Sequence, residues 1–233
     1  LVIVEATSVT GFAVRFGGGK LVPLAEGIHG SGALAAIQLF PGIRGQRARP
    51  ADLDSEQIEL LIQAYATAAA ACAAAGLDGV EIHGAHGYLL NQFFSPVANR
   101  RMDAYGATLG GRMLLAVQIA RAVRSALGEG RLVLYRHTPV GPGYGVEESL
   151  ALADALVEAG VDILDISPSS SVLPGDLAAP FRALAVPVIA VGELDRPERA
   201  VEVIREGRAD LVAIGRGLIA DPQWPMHVQS NRS

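Results

Sequence analysis

Lysine is almost missing from this chain: Lys20 stands alone among nineteen basic residues, and the others are arginine. A Schiff-base mechanism must therefore use Lys20, which sits beside Gly17-Gly18-Gly19 rather than at the end of an apolar strand. Arginine cannot replace it, because a guanidinium stays protonated at any working pH. Aldolase-type lysine chemistry is excluded on that ground. Cysteine is as scarce. Cys72 is the sole one, so no intrachain disulfide can form. It lies in an alanine run, 68–75, with no cation beside it to activate a thiol, and it reads as a small buried helix residue. A net charge of −5 without any lysine-rich stripe offers no footprint for nucleic acid. No run approaches the roughly 18 strongly apolar residues of a membrane span, since Thr67 and Gly76 break the alanine-rich stretch. The opening LVIVEATSVT lacks a basic n-region and carries Glu5 after four apolar residues, so it reads as a strand and the chain as cytoplasmic.

What is present is a large apolar core and a regular rhythm. Hydrophobic residues make up 50% of the 233 and the mean hydropathy is +0.33, which excludes a disordered chain. A chain of this length fits one domain. Strand-like runs fall at Leu1–Ala6, Ala35–Phe40, Val80–His83, Leu132–Arg136, Ile163–Ser167, Val188–Val191 and Leu211–Ile214. Helix-like segments lie between them at Ser55–Ala75, Gly111–Leu127, Glu147–Ala159 and Pro197–Glu206. Asp54 or Ser55 suits the cap of the first, Gly76 follows its end, and Pro197 suits a first helical turn. Strand–helix alternation with continuous apolar strands means a parallel sheet covered on both faces. An open doubly wound sheet is the alternative, but no G-x-G-x-x-G follows an early strand. Polar residues instead recur at the ends of the strands: Glu5, Gln38, His83, Arg136, Ser167, Gly192 and Gly215-Arg216. A barrel carries its chemistry on that rim. The expected fold is α/β, a TIM (β/α)8-type barrel with about seven of its eight strands in this chain, as one domain over residues 1–233. No internal repeat stands out beyond the rhythm itself. The loops at Gly42–Pro50, with Arg44, Arg47 and Arg49, and at Leu173–Ala179 are long enough to cover the mouth.

The densest chemistry lies in GVEIHGAHGYLLNQFFSPVANRRMDAYG, Gly79 to Gly106. A buried strand there ends by delivering His83, His86 and Tyr88 within six residues. Two imidazoles can donate hydrogen bonds to one carbonyl oxygen, and a nearby phenol can hand over a proton. A bare H-x-x-H is more often structural. A metal reading lacks a third ligand and a helical spacing. Arg136 ends its own strand, where a guanidinium needs an anion, an electron-rich ring or a carboxylate on a neighbouring strand.

These motifs resemble the old yellow enzyme family, FMN-dependent ene-reductases that use NADH or NADPH, and the resemblance covers nearly the whole chain. It implies that His83 and His86 bind the activating oxygen of an enone-type substrate. Flavin N5 then gives hydride to the β carbon while Tyr88 protonates the α carbon. It assigns Gln38 to the flavin pyrimidine and Arg136 to the ring's N1/O2 side. Phe40 stands where the family commonly has tryptophan, and Pro41-Gly42-Ile43-Arg44 replaces His-Ala-Gly-Arg, which alters the substrate wall. Asn99, Arg100, Arg101, Asp103 and Tyr105 follow a motif that organises the loop after the strand. Gly110-Gly111 replaces a Glu-Asn pair there and is expected to loosen that loop. His137 stands in place of an aliphatic residue and is left without a role. Gly192, Gly215 and Arg216 are the expected FMN phosphate site, with Glu193 an awkward negative charge beside it. The family's first strand and helix have no counterpart, so a fragment of a longer chain is expected, with little room for a helix after the last strand. A non-catalytic barrel remnant or scaffold is the rival reading, and a flavin-free phosphate-binding lyase a weaker third. A homo-oligomer is compatible with all three.

Overall fold

The computed structural model describes all residues except 13, 14, 16, 18, 43–47, 170–176 and 231–233. Seven strands form one sheet in the order β1 to β7, every neighbouring pair parallel. They are β1 (Val2–Ser8), β2 (Ala35–Phe40), β3 (Gly79–Gly84), β4 (Leu132–His137), β5 (Ile163–Ile166), β6 (Val188–Val191) and β7 (Leu211–Ala213). The sheet curls into a partial barrel, and among the described residues no strand joins β7 back to β1. Both edges carry exposed apolar side chains, Val2 at 43% and Leu211 at 45%.

Eight α-helices are described: α1 (Val22–His29), α2 (Ser55–Ala74), α3 (Leu89–Phe94), α4 (Leu109–Leu127), α5 (Val146–Glu158), α6 (Pro197–Arg205), α7 (Arg216–Ala220) and α8 (Trp224–Ser230). Asp54 caps α2 by accepting from the Gln57 N–H, and the Gln57 side chain returns a bond to the Asp54 N–H. This reciprocal pair satisfies two donors that a helix start leaves bare. Ile58, Leu61, Ile62, Tyr65, Ala68, Ala69 and Cys72 then recur at helical spacing and are all buried. Pro197 opens α6 as expected. The helices α1, α3, α7 and α8 carry no sequence pattern strong enough to separate them from loops. Against expectation, α7 and α8 follow the last strand.

Side chains on alternate strand positions separate into two apolar clusters, one on each sheet face. Ile37, Leu39, Val80, Ile82, Val133, Leu164 and Val188 join the large cluster under the helices. Leu134, Ile163 and Ile189 form the small one inside the barrel, with Ile3, Leu132, Val191 and Ala213 around them. The polar residues Gln38, Glu81, His83, Arg136 and Asp165 share the parity of this inner face. Strand ends differ from expectation in one respect: β1 runs on to Ser8, so Glu5 lies mid-strand, at an irregular register against β2.

An aspartate recurs at every second strand entrance. Asp78, Asp162 and Asp210 precede β3, β5 and β7. The Asp78 carboxylate accepts from the Ala35 N–H at 2.7 Å, while the Asp78 N–H donates to the Ala35 carbonyl at 2.8 Å. Asp162 makes the same two-way bond with Val133, at 2.8 Å in each direction. Asp210 makes it with Val188, at 2.8 and 2.9 Å. Each carboxylate also holds a basic partner: His29, Arg124 and Arg182 respectively. The repeat missed in the sequence is this clamp, tying β2 to β3, β4 to β5 and β6 to β7.

Candidate active site

Strand β3 ends at a left-handed corner. His86 has φ 58° and Gly87 φ 73°, and the first is unusual for a residue with a side chain. Several bonds hold it there. The His86 N–H donates to Thr138 Oγ1 at 3.0 Å, and Thr138 Oγ1 donates to the Ser167 carbonyl at 3.0 Å. Asn91 Oδ1 accepts from the Gly87 N–H, and Asn91 Nδ2 donates to the Tyr144 hydroxyl, itself donating to the Thr138 carbonyl. The backbone reversal turns three rings toward one another. The His83 and His86 centroids are 5.6 Å apart, and His83 and Tyr88 are 4.9 Å apart. Phe40, at the end of β2, stands edge-on to Tyr88 at 6.2 Å.

The hydrogen bonds fix which nitrogen each imidazole presents. The Ala85 N–H donates to His83 Nδ1 at 3.2 Å, so that nitrogen is an acceptor and the proton resides on Nε2. His86 Nε2 is engaged by Ser167 Oγ at 2.9 Å, which leaves Nδ1 as its other polar atom. Both rings are neutral near pH 7. Burial, then the charges of His86 and Arg136, holds His83 down to about 3. Burial and Arg136 lower His86 as well. Tyr88 is 46% exposed, with its phenol at the rim.

Arg136 lies beside β3, paired in register with His83. Its Nη2 donates to Ser167 Oγ at 3.0 Å, so one hydroxyl joins Arg136 to His86. Its Nε faces Asp165 Oδ2 at 3.7 Å, beyond hydrogen-bond reach, and is buried without a partner. The carboxylate neighbour considered from the sequence is thus present, but it leaves a donor of Arg136 unspent. Gln38 lies deeper than a strand end and donates through Nε2 to Glu81 Oε2.

Gly192 and Gly215 follow the adjacent strands β6 and β7. Gly192 has φ 119° and Glu193 φ 51°, so two successive residues are left-handed there, with the Glu193 side chain exposed. A Cβ on Gly215 would meet nothing within 4 Å, and Arg216 begins α7 exposed. No contact joins these residues to the imidazole group among the described residues.

The loop after α3 is firmer than expected. Asn99 Nδ2 donates to the carbonyls of Phe93 at 2.8 Å and Tyr105 at 2.7 Å, and Arg101 reaches the carbonyls of Pro50 and Leu53 and the carboxylate of Asp103. Gly111 does not loosen it: a Cβ there would lie 2.1 Å from the Gly106 carbonyl, and the Thr108 hydroxyl caps α4 through the Gly111 N–H. His137 is a core residue, bonded to Ser149 Oγ at 2.8 Å and packed on Phe94 and Tyr144. Cys72 is buried, and burial pushes its thiol up to about 12, as suits an inert position. Residues 43–47 and 173–176, which include Arg44, Arg47 and most of the second covering loop, lie outside the described residues. So does Gly18. Among the described residues no cluster of three metal-ligating side chains forms, and no helix is long and apolar enough to cross a membrane.

The residues missed in the sequence are Glu81, Asp165, Thr138 and Asn91, while Ser167 reads there only as a polar strand end. A signal for two of them existed: Glu81 and Asp165 are single charges inside otherwise apolar strands, which is costly unless they are partnered.

Known proteins resemble this chain in sequence and in fold. A family model described as NADH:flavin oxidoreductase / NADH oxidase matches residues 42–233. An NADH oxidase of Thermoanaerobacter brockii is 36% identical over 248 aligned residues, covering 90% of this chain and 38% of that protein. An NADPH dehydrogenase of Bacillus licheniformis is 35% identical over 188, covering 76% of this chain and 55% of that one. The chain therefore spans about half or less of these relatives. In fold it is similar to morphinone reductase in complex with tetrahydroNAD, with a TM-score of 0.86 at 23% identity, covering 100% of this chain and 78% of that one.

Proposed function

Since the chain belongs to the NADH:flavin oxidoreductase / NADH oxidase family, that of the old yellow enzymes, we propose that residues 1–233 form one FMN-binding barrel domain. It draws reducing equivalents from NADH or NADPH and reduces carbon–carbon double bonds conjugated to a carbonyl. The observation that carries this reading is the convergence of two neutral imidazoles and a phenol at the end of β3, beside Arg136.

The residues fit the cofactor. The buried, unpartnered Nε of Arg136 is a donor in want of an acceptor, and an electron-rich ring supplies one. Gln38 belongs on the pyrimidine side. Gly192 and Gly215 let backbone N–H groups approach a phosphate, with Arg216 adding a charge-assisted contact. When bound, FMN supplies the hydride chemistry that no side chain here provides, between a nicotinamide and the substrate carbon.

The side chains do the rest. His83 offers its Nε2–H and His86 its Nδ1 to the substrate oxygen, and both stabilise negative charge as it builds there. Because both rings are neutral, they donate hydrogen bonds without giving up the proton. Tyr88 hands its phenolic proton to the α carbon. Phe40, edge-on to Tyr88, bounds the space for the substrate's remaining groups.

The test is the visible spectrum of the chain mixed with FMN. A bound-flavin spectrum is expected, bleaching anaerobically with NAD(P)H and returning with an enone. Tyr88→Phe should slow the return by about 10²-fold or more, the usual range for a lost proton donor, and spare the bleaching. Equal slowing of both steps would remove Tyr88 from its role. One observation favours a second reading, a barrel that holds no flavin: the open edges of β1 and β7. A chain that leaves FMN free selects it.

A further inference from the structure

Two inner-face groups, Glu81 and Asp165, are not used by the reading above, and Gln38 lies beside them. Register sets them around Arg136. Gln38 pairs with Glu81 across β2 and β3, and Arg136 pairs with Asp165 across β4 and β5. Glu81 is 1% exposed and Asp165 2%. Few donors reach them. Gln38 serves Glu81 Oε2, and Arg136 Nε, at 3.7 Å from Asp165 Oδ2, does not hydrogen bond to it. Glu81 Oε1 and Asp165 Oδ1 are both buried with no N–H or O–H donor from elsewhere.

Glu81 on β3 and Asp165 on β5 lie on the same inner face either side of β4, and each holds one buried oxygen without a partner. An ionised carboxyl is an acceptor only, whereas a protonated one can donate, so a single proton on one of them can serve both orphaned oxygens. Charge leads to the same result. Arg136 is the cation beside the pair, and two ionised carboxyls, 1% and 2% exposed, would outweigh it. With one proton held, the pair carries a single negative charge that offsets Arg136.

We propose that Glu81 and Asp165 share one proton, and that their single negative charge sets how strongly Arg136 favours negative charge on a ring beside it. They are positioning residues that act through Arg136. The second half of the inference rests on the cofactor reading; the first half does not.

Two measurements test it. The infrared spectrum of the flavin-free chain near neutral pH should contain the carbonyl stretch of a buried, protonated carboxyl. Asp165→Asn and Glu81→Gln should each abolish it, since the remaining carboxyl ionises. Absence of the band from the unmodified chain overturns the shared proton, and needs no variant to fold. The second measurement is the midpoint potential of bound FMN. Each single variant loses a proton together with a carboxyl, keeps one negative charge, and should leave the potential unchanged. The double variant removes the charge and should raise it by the equivalent of about tenfold tighter holding of the reduced ring, about 30 mV for two electrons. A rise in either single variant means that a negative charge was lost with one carboxyl, and overturns the proposal. An unchanged potential in the double variant also overturns it. If the unmodified chain binds no FMN, the cofactor reading and the role through Arg136 fall together, while the infrared band still decides the shared proton.

Discussion

At the scale of single residues, chemistry here depends on how tightly the backbone is allowed to approach. Gly84 follows His83, and a Cβ at that position would sit 2.0 Å from the Tyr135 hydroxyl. The phenol is buried and its strand is central, so it cannot swing away. Gly84→Ala is expected to destabilise the fold by about 1–3 kcal/mol, the usual range for overpacking. It should also weaken enone binding by displacing His83. A denaturant midpoint equal to that of the parent chain would show that Tyr135 yields easily. Among the candidate site residues, His83, His86, Tyr88 and Arg136 were legible because their motif is contiguous or ends a strand. Ser167 was noted only as a polar strand end. Its bridging of Arg136 and His86 depends on three strands meeting, which linear sequence does not express. Glu81 and Asp165 are 84 positions apart and meet only inside the curled sheet.

At the scale of elements, seven strands and four long helices were readable from apolar runs, caps and glycine stops, to within a few residues. The four shorter helices were not, since five to eight residues give too few turns to show a period. The aspartate clamps explain how strand entrances are fixed. Asp162 serves the Val133 N–H and Arg124 at once, and removing its carboxyl leaves the amide without an acceptor. Asp162→Ala should lower stability by about 1–3 kcal/mol, the cost of stranding a buried donor. Asp162→Asn, which keeps an acceptor, should lose less. Equal losses in a denaturant titration would mean that charge on Arg124, not the amide bond, is what matters.

The whole molecule should be stable over a limited pH range, because its buried groups titrate with opposite signs. Burial holds His83 and His137 down to about 3, and His86 is lowered too. Their stabilisation is present above the unfolded value near 6.5 and is lost as pH falls from there toward 3. Burial raises Glu81 and Asp165, so their contribution is full in acid and is lost as pH rises through the folded values. The unfolded chain therefore binds more protons than the folded one as pH falls below 6.5, and fewer where the raised carboxyls still hold theirs. Unfolding free energy measured by denaturant from pH 4 to 9 should peak near pH 6.5. A flat profile from pH 5 to 8 would contradict the burial of these groups.

The three clamps also divide the sheet. Each joins a strand only to the one after it, in the pairs β2–β3, β4–β5 and β6–β7, and none bridges β3–β4 or β5–β6. A chain severed between β3 and β4 keeps every clamp inside one piece or the other, whereas a cut between β2 and β3 leaves a clamp to be rebuilt across two pieces. Interrupted genes, circular permutants and split reporters made from this barrel should therefore tolerate breaks after its odd-numbered strands.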